Sequence, residues 1–152
     1  MTHQALALRH RWGTVKMFDA LFSFSGRLRR LAYFGYSIVA GLIGSIPAVI
    51  GALSLIYGKH HNEAVLIVVA VVILGISAIY FAWTSFAIGV KRLHDMDMSG
   101  YNQIWIIGLS AAGQILRYLH QPVTGIVIGV FSLGVSLWLL FAPGSQGGNR
   151  FG

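Results

Sequence analysis

The residues best equipped for chemistry lie in three short runs. The first is Phe24, Ser25, Gly26, Arg27, Leu28, Arg29 and Arg30, continuing to Tyr33. The second is Lys91, Arg92, Leu93, His94 and Asp95, followed by Asp97, Ser99 and Gly100. The third closes the sequence: Pro143, Gly144, Ser145, Gln146, Gly147, Gly148, Asn149, Arg150, Phe151 and Gly152. Guanidinium groups bind carboxylates and phosphates through charge-assisted hydrogen bonds. The expected polar network therefore comprises Arg27, Arg30, Tyr33, Lys91, Arg92, His94, Asp95, Ser99, Asn149 and Arg150. Asp95 is expected to pair with an arginine and fix helix ends, with Arg150 as the partner to test. The remaining positive charge suits a phosphate, from a lipid headgroup or a cytoplasmic ligand.

Other chemistries fit these runs less well. Asp95, Asp97, Ser99 and Gly100 have the spacing of the first half of a calcium loop, but Ile106 stands where the bidentate Glu belongs. His94 and Asp95 are neighbours in sequence and do not share a helix face. No nearby His or Cys completes a metal site, so no metal or cofactor is expected. Cys is absent altogether, which removes a thiolate nucleophile. His60 and His61 read as solvated loop residues.

The elements that must position these runs are membrane helices. Of 152 residues, 56% are hydrophobic and only 10% charged, against roughly a quarter charged in a soluble domain. A soluble enzyme, a disordered chain and a collagen-like repeat are thereby excluded. Charge-free stretches predict an all-α polytopic protein with four spans, near 32–57, 64–90, 101–119 and 122–142. In the third span, Arg117 lies close enough to one end to reach the headgroups. Pro122 suits a first helical turn, and Pro143-Gly144 ends the last span. A short turn at His120-Gln121 makes spans three and four antiparallel neighbours.

Ahead of the spans, Phe18, Leu21, Phe22 and Ser25 follow helical spacing, so 14–24 is expected to form an interfacial helix. Ser25 is expected to cap the first span. The organisation is then a cytoplasmic segment 1–30, a membrane domain 31–143 and a Gly-rich cytoplasmic tail 144–152. Within the first span, Ala40, Gly44, Ala48 and Ala52 form a small-residue row. Gly125 and Gly129 form a GxxxG pair in the fourth. Pro47 is expected to kink the first span. Nine Lys and Arg fall on one predicted side: Arg9, Arg11, Lys16, Arg27, Arg29, Arg30, Lys91, Arg92 and Arg150. Only Lys59 and Arg117 fall on the other. That bias puts both termini in the cytoplasm. It reads the net charge of +7 as topology rather than as a nucleic-acid footprint.

At the three runs the chain resembles the small bacterial inner-membrane proteins called domain of unknown function 805, of which the YhaH-like proteins are typical. The matching residues are Phe24 to Arg30 with Tyr33-Phe34; Lys91 to Asp95 with Ser99-Gly100-Tyr101; and Pro143-Gly144, Gly147 and Asn149 to Gly152. The resemblance spans about 18–152 and implies location and architecture, without a reaction. Ala32, the linker Met96-Asp97-Met98 and Asn102 depart from the family pattern.

The expectation is a non-enzymatic integral protein of the bacterial inner membrane, its partners being membrane lipids, anionic headgroups among them, or a second membrane protein or copy of itself. The alternative is an oligomeric small transporter or channel component. No charge lies near the centre of any span, so a proton relay is not expected. A third reading, a lipid-modifying enzyme using His94 and Asp95, lacks a nucleophile and a second base.

Overall fold

The computed structural model describes residues 17–120 and 122–151. Within them lie five helices and no strand: α1 Met17–Phe22, α2 Arg30–His61, α3 Ala64–Asp95, α4 Asn102–Tyr118 and α5 Pro122–Phe141. Arg9, Arg11, Lys16, Gln121, Gly152 and the first residues of the expected interfacial helix lie outside the described residues. What is described there is a six-residue helix, α1.

Three helices are long and apolar enough to cross a membrane: Arg30–His61, Ala64–Asp95 and Val123–Phe141. They mark a multi-pass membrane protein. At 1.5 Å per residue, α2 and α3 are each about 48 Å long, well beyond a hydrocarbon core of about 30 Å. The helix of the second span continues past its apolar stretch and takes Lys91 to Asp95 into its last turns. α4 has 17 residues.

α2 ends at Asn62, which adopts φ 55° and donates its N–H to Gly58 O. Asn tolerates this left-handed conformation better than most side chains. Lys59, His60 and His61 occupy the last turn, where the Lys59 charge offsets the helix dipole. Asn62 and Glu63 then turn the chain directly into α3. Pro47 lies inside α2, and the helix runs through it to His61.

The α2–α3 hairpin closes along a seam of small residues. Ala40, Gly44, Gly51 and Gly58 are the buried residues of α2. A Cβ on Gly44 would stand 2.7 Å from the Phe81 ring and 2.8 Å from that of Tyr80. Of the row expected from sequence, Ala48 is half-buried and Ala52 exposed. The reason is angular: steps of four advance about 40° each, while steps of seven fall back only about 20°. A row of fours therefore winds off the interface, and Gly44, Gly51 and Gly58 stay on it.

The α4–α5 hairpin closes at Gly113 and Gly125, both buried. A Cβ on Gly125 would lie 3.0 Å from Gly113 O. Gly129 is exposed and has open space where a Cβ would be. The two hairpins meet at one end. The Gln103 side chain, at the start of α4, lies over Gly89 of α3. The last carbonyls of α5 reach Arg92. That shared end gathers the three polar runs.

Candidate functional site

A helix leaves its last four carbonyls without internal partners. At the shared end, three helices terminate together, and the polar runs supply the missing donors. Arg92 is fully buried. Its Nε donates to Leu139 O at 2.7 Å, and its Nη2 donates to Ala142 O. Its Nη1 donates to Asp95 Oδ2. Arg30 adds a longer bond to Phe141 O at 3.4 Å. Two cations thus stand at the negative end of the α5 dipole, the favourable arrangement.

Lys91 does the same for α1. Its Nζ donates to Ala20 O at 2.9 Å and to Asp19 O. Trp83 Nε1 donates to Phe22 O at 3.3 Å. These bonds seat α1 on α3 with Ala20 and Leu21 buried between them. Leu21 joins Leu28, Ala40 and Ile88 in the apolar cluster beneath, against which Tyr33 packs.

The end of α3 is capped from both flanks. Leu28 N donates to Lys91 O at 3.1 Å. From the tail, Ser145 N and Oγ donate to Asp95 O at 2.7 and 3.0 Å. Asn149 Nδ2 donates to His94 O and to Ser145 Oγ, each at 2.8 Å. The turn after α3 closes on Leu93 O, which accepts from Met96 N and Met98 N. Gly144 makes the tail's approach possible, because a Cβ there would run into the Asp95 carboxylate. Gly147, at φ 86°, carries the tail through a turn that favours glycine and places its carbonyl 2.9 Å from Arg27 Nη1.

The ion pairs differ from the pair singled out for testing. Asp95 takes Arg92, and Arg27 Nε stands 3.8 Å from its Oδ1. Arg150 instead pairs with Asp97, at 3.3 Å to the carboxylate and 2.7 Å to the carbonyl. Asp97 can serve there because it adopts φ 57°. Ser25 does not cap α2. The helix begins five residues later, at Arg30, after Gly26 turns the chain at φ 90°, and its N-cap Arg29 supplies no side-chain bond. Ser25 instead bonds Ser23.

His94 stacks on Phe151, with ring centroids 3.9 Å apart and planes 7° from parallel. Its Nδ1 lies 3.3 Å from Gly26 O. Ser99 stands apart from the knot and accepts from Tyr101 N at the start of α4. Among the described residues, no three of His, Asp and Glu gather as a metal set. Sequence reasoning missed Gln103, Trp83 and the carbonyl acceptors. Only Gly89 and Gly144, small residues beside charged runs, hinted at close approaches.

Next to the knot, the two hairpins flank a partly open cavity of about 600 Å³. It is bounded by Tyr33 and Ser37 of α2, Thr84 and Ser85 of α3, Gln103 and Ser110 of α4, and Ser136 of α5. Thr84, Ser110 and Ser136 each donate to a carbonyl one turn back on their own helix.

A multi-pass helical membrane protein, with its polar runs tied into one knot of helix ends, is the class these observations define. The chain belongs to the family described as protein of unknown function (DUF805), whose model matches residues 21–152. All three runs fall within that match. No curated protein and no solved structure matches the chain.

Proposed function

We propose that this chain is a non-enzymatic protein of the bacterial inner membrane, crossing it four times with both termini cytoplasmic. In this reading its knot is a cytoplasmic platform that holds anionic lipid headgroups. The observation that carries the headgroup reading is the charge left over at the knot. Asp95 is already covered by buried Arg92, while Arg29 and Arg30 stand exposed at the uncapped amino end of α2. A helix amino end with adjacent arginines favours phosphate.

Four crossings are supported by the return of the chain. α4 starts and α5 finishes against the last turns of α3, so the pair forms a closed excursion from one side. α5 is long enough to span. Only residues 119–121 separate it from α4 in the sequence, and the two pack together through Gly113 and Gly125. With Tyr101 and Leu119, α4 reaches about 28 Å, close to the hydrocarbon thickness. α1, seated on the end of α3, would then lie at the cytoplasmic surface, with exposed Met17 and Phe18 toward the lipid.

Two measurements test the reading. A phosphatase fused after residue 152 should be inactive in the periplasm, and activity there overturns the topology. Native mass spectrometry of the purified protein should show retained phosphatidylglycerol. Arg29→Gln combined with Arg30→Gln should release most of it. Equal retention of zwitterionic and anionic lipid would overturn headgroup selection.

A further inference from the structure

The cavity between the hairpins differs from the knot in kind. Among the described residues lining it, none is charged. Its volume of about 600 Å³ lies within the usual range of small-molecule sites. Gln103 is 5% exposed, and its Oε1 has no hydrogen-bond partner. A buried amide oxygen without a partner costs about 1–3 kcal/mol, so the site stores an unmet demand for a donor. Around it stand the exposed hydroxyls of Ser37, Ser85 and Ser136, one on each of the three membrane-spanning candidates, and of Ser110 on α4. Ser110 and Ser136 already donate along their own helices, and the lone pairs left on these hydroxyls find no donor in hydrocarbon. The rest of the wall is apolar, with Phe81, Ile88 and Leu139 among it.

An anion here would find no counter-charge on the wall, and a plain hydrocarbon chain would leave the Gln103 amide unmet. We infer that the cavity binds the head of a neutral, hydroxyl-bearing amphiphile, whose hydroxyl meets Gln103 and whose chain leaves between the hairpins into the bilayer. A hydroxyl both donates and accepts, so it satisfies the amide in either orientation. Diacylglycerols and long-chain quinols share this chemistry. The inference is independent of headgroup binding at Arg29 and Arg30.

The test is native mass spectrometry of the full chain in detergent, titrated separately with dioleoylglycerol, with its acetylated analogue lacking the free hydroxyl, and with a long-chain quinol. Retention of dioleoylglycerol or of the quinol supports the site and tells the two sources apart. The acetylated analogue should bind about tenfold more weakly than dioleoylglycerol, the effect of one lost hydrogen bond. Gln103→Leu should weaken dioleoylglycerol or quinol binding by a similar factor. Gly41 lines the cavity with open space at its Cβ, so Gly41→Phe should fill the site and abolish binding while the protein stays folded. That variant keeps the test decisive if Gln103→Leu fails to fold. Arg29→Gln with Arg30→Gln should leave binding unchanged. The inference is overturned if only anionic lipid is retained, if no amphiphile is retained and water alone fills the cavity, if the acetylated analogue binds equally, or if Gly41→Phe binds like the parent.

Discussion

The contact within each hairpin and the contact between the hairpins are built from different materials. Inside the α2–α3 pair, Gly44, Gly51 and Gly58 bring two apolar helices close, and none of the three salt bridges among the described residues links α2 to α3. Between the hairpins, the principal fastening is Arg92 on the carbonyls of Leu139 and Ala142. Lipid tails are as apolar as leucine, so hydrophobic burial alone cannot hold helices together in a bilayer. Close packing of small residues solves that problem along a smooth apolar face. Polar bonding solves it where helix ends carry unmet carbonyls. The seam is a matter of shape, and the knot a matter of directed bonds. Substitutions should therefore fail differently in the two places.

The largest effect should come from Arg92→Gln. It leaves buried Asp95 only the longer Arg27 contact and removes the Arg92 bonds to Leu139 O and Ala142 O, and breaking such a buried pair typically costs about 3–5 kcal/mol. Thermal unfolding in detergent should show a large drop, with faster proteolysis between α3 and α4. Parent-like stability would mean that Arg92 does not fasten the hairpins. Gly44→Leu comes next. Its side chain would press on Phe81 and Tyr80, an overpacking cost of about 1–3 kcal/mol. Because the chain has no cysteine, the pair Gly51→Cys and Leu74→Cys can report seam spacing by crosslinking. The yield should fall when Gly44→Leu is added and stay unchanged with Arg92→Gln.

Asn149→Ala removes the caps on His94 O and Ser145, a loss of about 1 kcal/mol readable as a smaller thermal shift. Arg150→Gln should change stability least, by under about 0.5 kcal/mol. Its pair with Asp97 is more than half exposed on both sides and should weaken further in high salt. A shift from Arg150→Gln as large as that from Arg92→Gln would erase the distinction between the buried and exposed halves of the knot.

Gaps in charge located the apolar helices in the sequence because a membrane helix must exclude charge for about 20 residues. The same logic stopped the second span at 90, since Lys91 and Arg92 look like the point where helix gives way to loop. The helix continues because those cations have carbonyls of α1 and α5 to bind. Backbone carbonyls carry no signature in sequence, so the three charged runs could be named from it while the carbonyls they bind could not. Asp95 was readable as a partner for arginine. The choice of Arg92 and Arg27 over Arg150 depends on the path of the tail past Gly144. Ala40 and Gly44 of the small-residue row are buried, while Ala48 and Ala52 leave the interface through the drift of steps of four around the helix.

The donors on Lys91 and Arg92 are adjacent, yet their acceptors arrive at different times during synthesis. Lys91 binds carbonyls made about 70 residues before it. Arg92 waits for Leu139, 47 residues later. At about 5–20 residues per second, that is a delay of some seconds. Through that interval the buried cation of the finished protein is an uncovered charge at the end of a newly inserted helix, with Asp95 as its one immediate partner. On the headgroup reading proposed above, anionic lipid would hold that place until α5 arrives. Closing the second hairpin would then exchange lipid for protein, and its rate should depend on the composition of the membrane that receives it.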